Sequence, residues 1–219
     1  MSLTVKICGL STRETLDAAL GAGADMVGFV FFPPSPRSIS FDQARELAAS
    51  VKGRGQKVAL TVDADDATLS AIVTAVKPDI LQLHGHESVS RILELKQKFG
   101  LKVMKALPVE TPADLAGLPD YAAVSDRILF DARPPRHATR PGGLGTTFDW
   151  HVLANLDLKR PFMVSGGLTS DNVAEALRVT RAGGVDVSSS VERAPGVKDP
   201  QLIERFIRAV RATQELAIR

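Results

Sequence analysis

The chain has 219 residues, 27 basic and 25 acidic, a net charge of +2 and a hydrophobic share of 44%. This is the size of one domain with a substantial core, and the balanced, dispersed charge excludes nucleic acid or an anionic membrane as its main partner. The single cysteine excludes an internal disulfide and a cysteine-rich metal site. The first residues run straight into an apolar alternation without a signal-peptide core. No apolar stretch approaches the roughly 18 residues of a membrane span, so a cytoplasmic protein is expected.

Apolar runs and helical patterns alternate along the chain. A strand at 3–8 precedes a helix near 12–22, with Ser11 and Thr12 as start signals and Gly21 and Gly23 at its end. A strand at 25–31 leads through a long loop, 32–40, to a helix near 41–52. Next come a strand at 57–62 and a helix near 66–76, opened by Asp65 and Asp66. A strand at 79–83 is followed by a helix near 88–99 that stops at Gly100. Strands at 102–106 and 127–131 flank a helix near 111–117. A second long loop, 132–147, precedes a helix near 148–156. The last pairs are a strand at 162–165 with a helix near 170–181, and a strand at 184–188 with a helix near 199–217.

Eight strands alternating with eight helices predict a parallel sheet covered by helices. At this length a single (β/α)8 TIM barrel over 1–219 is the fold expected. A doubly wound open sheet fits the same alternation, although no Gly-x-Gly-x-x-Gly follows the first strand. Both long loops follow the C-terminal ends of strands, where barrel active sites are built.

Side chains alternate along a strand. If Val5 and Ile7 face the helices, Lys6 and Cys8 face the barrel interior. The same parity turns Gln82 and His84 inward in the fourth strand, and Asp186 and Ser188 in the eighth. Asp131 ends the sixth. Taken singly, each has a plain structural alternative: Cys8 as a small buried hydrophobe, Gln82 and His84 as satisfied core groups, Asp131 as a loop cap, Lys6 as the partner of an inward acid. Their convergence on one mouth is the informative feature. A lysine beside Cys8 would favour the thiolate.

Ser165-Gly166-Gly167-Leu168-Thr169 and Ser188-Ser189-Ser190 follow the seventh and eighth strands. Loops there frequently hold a phosphate in this fold, because glycine admits close approach and free N–H groups favour an anion. Ordinary turn chemistry is the alternative. His84 and His86 find no supporting cluster, so no metal is expected.

Together these residues resemble the phosphoribosylanthranilate isomerases of tryptophan biosynthesis. The matching segments are Lys6-Ile7-Cys8-Gly9, Gly28-Phe29-Val30-Phe31 with Ser35-Pro36-Arg37, and Leu81-Gln82-Leu83-His84-Gly85. Phe130-Asp131, Gly142-Gly143-Leu144-Gly145, Phe148-Asp149-Trp150 and Ser165-Gly166-Gly167-Leu168 follow. The last run is Gly184 to Glu192 with Pro195 to Asp199. The resemblance implies a TIM barrel that carries out an Amadori rearrangement of a small-molecule phosphosugar without a cofactor. It implies Asp131 as general acid, Cys8 as general base and Arg37 as the partner of the anthranilate carboxylate. Gly166, Gly167, Ser188 and Ser189 match the phosphate cradle, while Gln82, His84 and Asp186 are expected against the substrate. The chain departs from the family's usual Gly-Gly-Thr-Gly-Lys at Leu144 and Thr146. A related isomerase of histidine biosynthesis carries an aspartate where Cys8 stands and two phosphate cradles. A non-catalytic barrel binding a phosphorylated ligand would need neither Cys8 nor Asp131. No nucleic acid or membrane partner is expected, and the chain is taken as a monomer or a homodimer.

Overall fold

The computed structural model describes residues 3–135, 137–138 and 140–216. Eight parallel strands close into a barrel in chain order: β1 (Thr4–Cys8), β2 (Met26–Phe31), β3 (Gln56–Thr61), β4 (Ile80–Leu83), β5 (Lys102–Val109), β6 (Arg127–Ala132), β7 (Phe162–Val164) and β8 (Gly184–Val187). The seam is the parallel pairing of β1 with β8, in which Lys6 lies opposite Asp186. The open sheet is thereby excluded. No helix among the described residues is long and apolar enough to cross a membrane.

The outer ring comprises α1 (Arg13–Gly21), α2 (Phe41–Val51), α3 (Asp66–Val76), α4 (Val89–Phe99), α5 (Leu118–Val124), α6 (Val173–Thr180) and α7 (Pro200–Leu216). Thr12, Ser40, Asp65 and Ser88 each accept a first-turn N–H, satisfying a donor with no partner inside the helix. The chain leaves α4 at Gly100, in the left-handed region at φ 64°.

Two expected helices differ. The stretch 111–117 holds a short 3-10 turn, Pro112–Leu115, and the α-helix follows it. The stretch 148–156 holds only the 3-10 turn Trp150–Leu153. The last helix begins at Pro200, and residue 217, its expected end, lies outside the described residues. An antiparallel pair not expected from sequence, β9 (Glu192–Ala194) and β10 (Val197–Lys198), stands between β8 and α7.

Strand parity separates two cores. Odd residues of β1 such as Val5 and Ile7 pack outward in the large sheet–helix cluster. Met26, Val58, Ile80, Met104, Ala106, Leu129 and Met163 fill the barrel's interior, the packed centre expected of this fold. Above them Cys8, Val30 and Leu60 form a smaller cluster with Phe32 and Val62. The strand ends therefore open onto a mouth with one apolar wall.

Candidate active site

The mouth holds a cavity of about 780 Å³, counting space open to solvent. Cys8, Arg37, His84, Asp131, Asp186, Ser188, Ser189, Gly166 and Gly167 all line it. Of the expected site residues only Gln82 is missing from the wall.

Cys8 ends β1 with only 4% of its surface exposed. Gly28 of β2 lies alongside, and a side chain there would come within 3.1 Å of the Cys8 Cα and Sγ atoms, so glycine makes the room the thiol occupies. Burial pushes the Cys8 thiol up, and the charges of Lys6 and Lys198 recover only part of this. At neutral pH the resting side chain is therefore protonated. Lys6 is paired, as an inward lysine should be, with Asp186 at 2.9 Å. Burial works against the Lys6 charge, but Asp186 and Cys8 outweigh it and raise its pKa. Burial likewise pushes Asp186 up, opposed chiefly by Lys6.

Asp131 faces the same cavity from β6. Its Oδ1 accepts the Ala132 N–H at 2.9 Å, and its Oδ2 lies 3.2 Å from His84 Nε2. The amide nitrogen of Gln82 donates to His84 Nδ1 at 3.2 Å. An acceptor at Nδ1 leaves the proton of a neutral imidazole on Nε2, facing Asp131. Gln82 is thus corrected from a substrate contact to a group behind His84: it is fully buried one layer down.

The β2–α2 loop folds back on its own strand. Ile39 N–H donates to Val30 and Arg37 N–H to Ser35 Oγ, which aims Arg37 over the cavity. Its Nε and Nη2 grip Glu192 at 2.7 and 2.8 Å. One edge of the guanidinium is therefore occupied, and the Nη1 end remains toward the glycine loop at Gly143.

At the opposite rim, Gly166 has φ +85°, and a Cβ there would lie 2.6 Å from the Ala132 nitrogen. Only glycine lets the β7 turn cross so close to Asp131. Ser188 differs from expectation in its hydroxyl, which donates to the Cys8 carbonyl at 3.0 Å. Its one proton being used, the Ser188 hydroxyl has none for an anion. The loop 132–147 covers the site through Gly142, Gly143 and Leu144; residues 136 and 139 of it lie outside the described residues.

Sequence reasoning missed Glu192 and Lys198. Lys198 Nζ reaches Glu192 at 2.6 Å and the Ser188 carbonyl at 2.9 Å. Their signal was a Lys and a Glu flanking a Pro-Gly turn, legible only once that turn is known to sit on the mouth. Among the described residues no group of three or more His, Cys, Asp or Glu could hold a metal ion.

Comparison with known proteins agrees with this geometry. The family model described as N-(5'-phosphoribosyl)anthranilate (PRA) isomerase matches residues 5–209. A protein of that name from Bradyrhizobium diazoefficiens is 71% identical over 98% of this chain and 96% of its own. Another, from Rhodopseudomonas palustris, is 67% identical over the full length of both. Among solved structures, the phosphoribosyl anthranilate isomerase of Thermotoga maritima superposes with a TM-score of 0.87 at 34% identity, covering 96% of this chain and 99% of that one. A second, solved with reduced 1-(o-carboxyphenylamino)-1-deoxyribulose 5-phosphate, gives 0.84 at 31% over the same shares. The chain belongs to the N-(5'-phosphoribosyl)anthranilate isomerase family.

Proposed function

We infer that this barrel converts N-(5'-phosphoribosyl)anthranilate into 1-(2-carboxyphenylamino)-1-deoxyribulose 5-phosphate, with Asp131 as general acid and Cys8 as general base. The observation that carries the assignment is that both groups border one cavity between an apolar wall and the glycine turn after β7. The reading also takes the chain as one catalytic domain over 1–219, cytoplasmic, and a monomer or homodimer.

Asp131 delivers a proton to the furanose ring oxygen, and the C1′–O bond breaks as the anilino nitrogen donates its lone pair. The open-chain iminium acidifies the C2′ proton. Cys8 as thiolate takes that proton, and its electrons move into the new C1′–C2′ double bond of an enolamine. Ketonisation gives the product. The iminium supplies the electron sink within the substrate itself. The productive enzyme carries a proton on Asp131 and a charge on Cys8, so the resting thiol must first give up its proton, to solvent or to the Asp131 carboxylate that borders the same cavity.

Leu60, Val30, Phe32 and Val62 suit the anthranilate ring, and the free end of Arg37 suits its carboxylate. The phosphate falls to the backbone N–H groups of the Gly166-Gly167 and Ser188-Ser189 turns. His84 orients Asp131, and Asp186 neutralises Lys6 under the sugar. Replacing Cys8 by Ala, or Asp131 by Asn, is expected to lower kcat roughly 10²- to 10⁴-fold, the usual worth of a positioned acid or base. Loss of phosphoribosylanthranilate fluorescence reads this. Wild-type turnover by Cys8→Ala would remove the base assignment.

A further inference from the structure

Behind Cys8 lies a buried chain of charges for which the acid–base scheme has no use. Lys198 enters from β10 and is 5% exposed. Its ammonium makes three bonds: to Glu192 Oε1 at 2.6 Å, to the Ser188 carbonyl at 2.9 Å and to Ser188 Oγ at 3.0 Å. Ser188 Oγ, accepting from the lysine, turns its own proton onto the Cys8 carbonyl. The same Glu192 takes the Arg37 fork on both oxygens and the Gly196 N–H at 3.2 Å. An unbroken path thus runs from the loop arginine to the backbone of the thiol-bearing residue.

A lysine is costly to bury, and a structural tie between β8 and β10 would be met by an uncharged donor. The charge has one further consequence in this place. The polar groups facing Cys8 are Lys6 on its own strand, Asp186 on β8 with Ser188 just after it, Lys198 on β10, and His84 and Asp131 across the cavity, while β2 offers no charged group. Lys6 is neutralised by Asp186 at 2.9 Å, and Lys198 shares Glu192 with Arg37, so that two cations stand against one carboxylate. Lys6 is the stronger of the two positive charges on the thiol but is opposed there by Asp186, and Lys198 adds a second positive charge from the other side.

We propose that Lys198 is a positioning residue of the isomerase: through Ser188 it fixes the Cys8 backbone, and its ammonium supplies the field that lets Cys8 ionise for proton abstraction. This rests on the reading of Cys8 as the base. Burial lowers Lys198 to about 8, so its charge is present at neutral pH and fades at mildly alkaline pH.

Cys8 is the chain's single cysteine, so the rate of iodoacetamide alkylation, followed by mass, reports its thiolate fraction alone. It is read at pH 7, where Lys198 is charged. Lys198→Gln, which keeps a hydrogen-bond donor and drops the charge, is expected to slow alkylation about tenfold, the equivalent of about one pH unit of thiol ionisation. It should also lower kcat about tenfold with KM changed less than threefold. Lys198→Arg should hold the alkylation rate near the wild-type value. Ser188→Ala, a milder change that cuts the strut and keeps both charges, should lower kcat and leave the alkylation rate in place. An unchanged alkylation rate in Lys198→Gln, or wild-type kcat in Ser188→Ala, overturns the proposal. Wild-type turnover by Cys8→Ala overturns instead the reading beneath it, and the alkylation rates distinguish the two failures.

Discussion

At Gly166 a single methyl group decides whether the turn after β7 can form. Its φ of +85° is closed to side chains, and the nearest obstacle is backbone, the Ala132 nitrogen at 2.6 Å. Gly166→Ala is therefore expected to cost about 1–3 kcal/mol of stability, seen in a denaturant titration, and to raise KM because the turn also bears the proposed phosphate cradle. Gln82→Leu tests the tautomer argument. Without the amide at Nδ1 the imidazole can turn or shift its proton, and kcat should fall severalfold with KM nearly unchanged. Parity in the sequence already turned Lys6, Cys8, Gln82, His84, Asp186 and Ser188 inward, and they are inward. It gives direction without depth, however, and so cannot distinguish His84 on the cavity wall from Gln82 beneath it. Nor can it report the state of the Cys8 thiol, which depends on burial and on Lys198, 190 positions later in the chain.

Among the elements, the β4–α4 loop depends on a charge that parity would never have placed there. Lys105 points outward from β5 into the helix layer, where its ammonium binds Glu87 at 2.8 Å, the Gly85 carbonyl at 2.6 Å and the Leu83 carbonyl at 3.4 Å. The two carbonyls flank His84, and Glu87 in turn accepts the Asp63 and Gly85 N–H groups. Lys105→Met leaves Glu87 buried without its cation and should destabilise the fold by about 3–5 kcal/mol. Lys105→Met with Glu87→Gln should recover part of that, since the amide oxygen still accepts from Asp63. Urea midpoints of the three proteins check both statements. Helices α1 to α4 were legible because each carries a cap at its start and an apolar stripe. The connection after β6 was not: its aromatic Phe148-Asp149-Trp150 reads as a helix start, yet Asp149 caps only a single 3-10 turn. There Trp150 and Leu153 serve as packing against the core.

The whole barrel responds to pH at both ends through the same cluster. Burial works against the Glu192 carboxylate, but the Arg37 hydrogen bond and the Lys198 charge outweigh it and hold Glu192 below its ordinary range. Its contribution is therefore complete above the unfolded carboxylate value and is lost as pH falls through the folded one. Lys198 behaves oppositely. Folded it titrates near 8, against 10.5 ordinarily, so between these values the unfolded chain holds more protons and stability from this group rises with pH. Glu192→Gln should flatten the acid limb of a stability–pH curve, and Lys198→Gln the alkaline rise. Chemical denaturation at stepped pH measures each.

The β1–β8 seam also bears on how the enzyme comes into being. Lys6 meets Asp186, and Cys8 meets Ser188, across 180 positions, while Arg37 meets Glu192 across 155. A nascent chain on the ribosome exposes Cys8, the proposed base, almost at once, yet waits for nearly all of its translation before any of these partners exists. Contacts so distant in sequence are slow to form, and a barrel shortened at its C-terminus before β8 is expected to show no activity. Catalytic competence arrives in one step, when the last strand docks against the first.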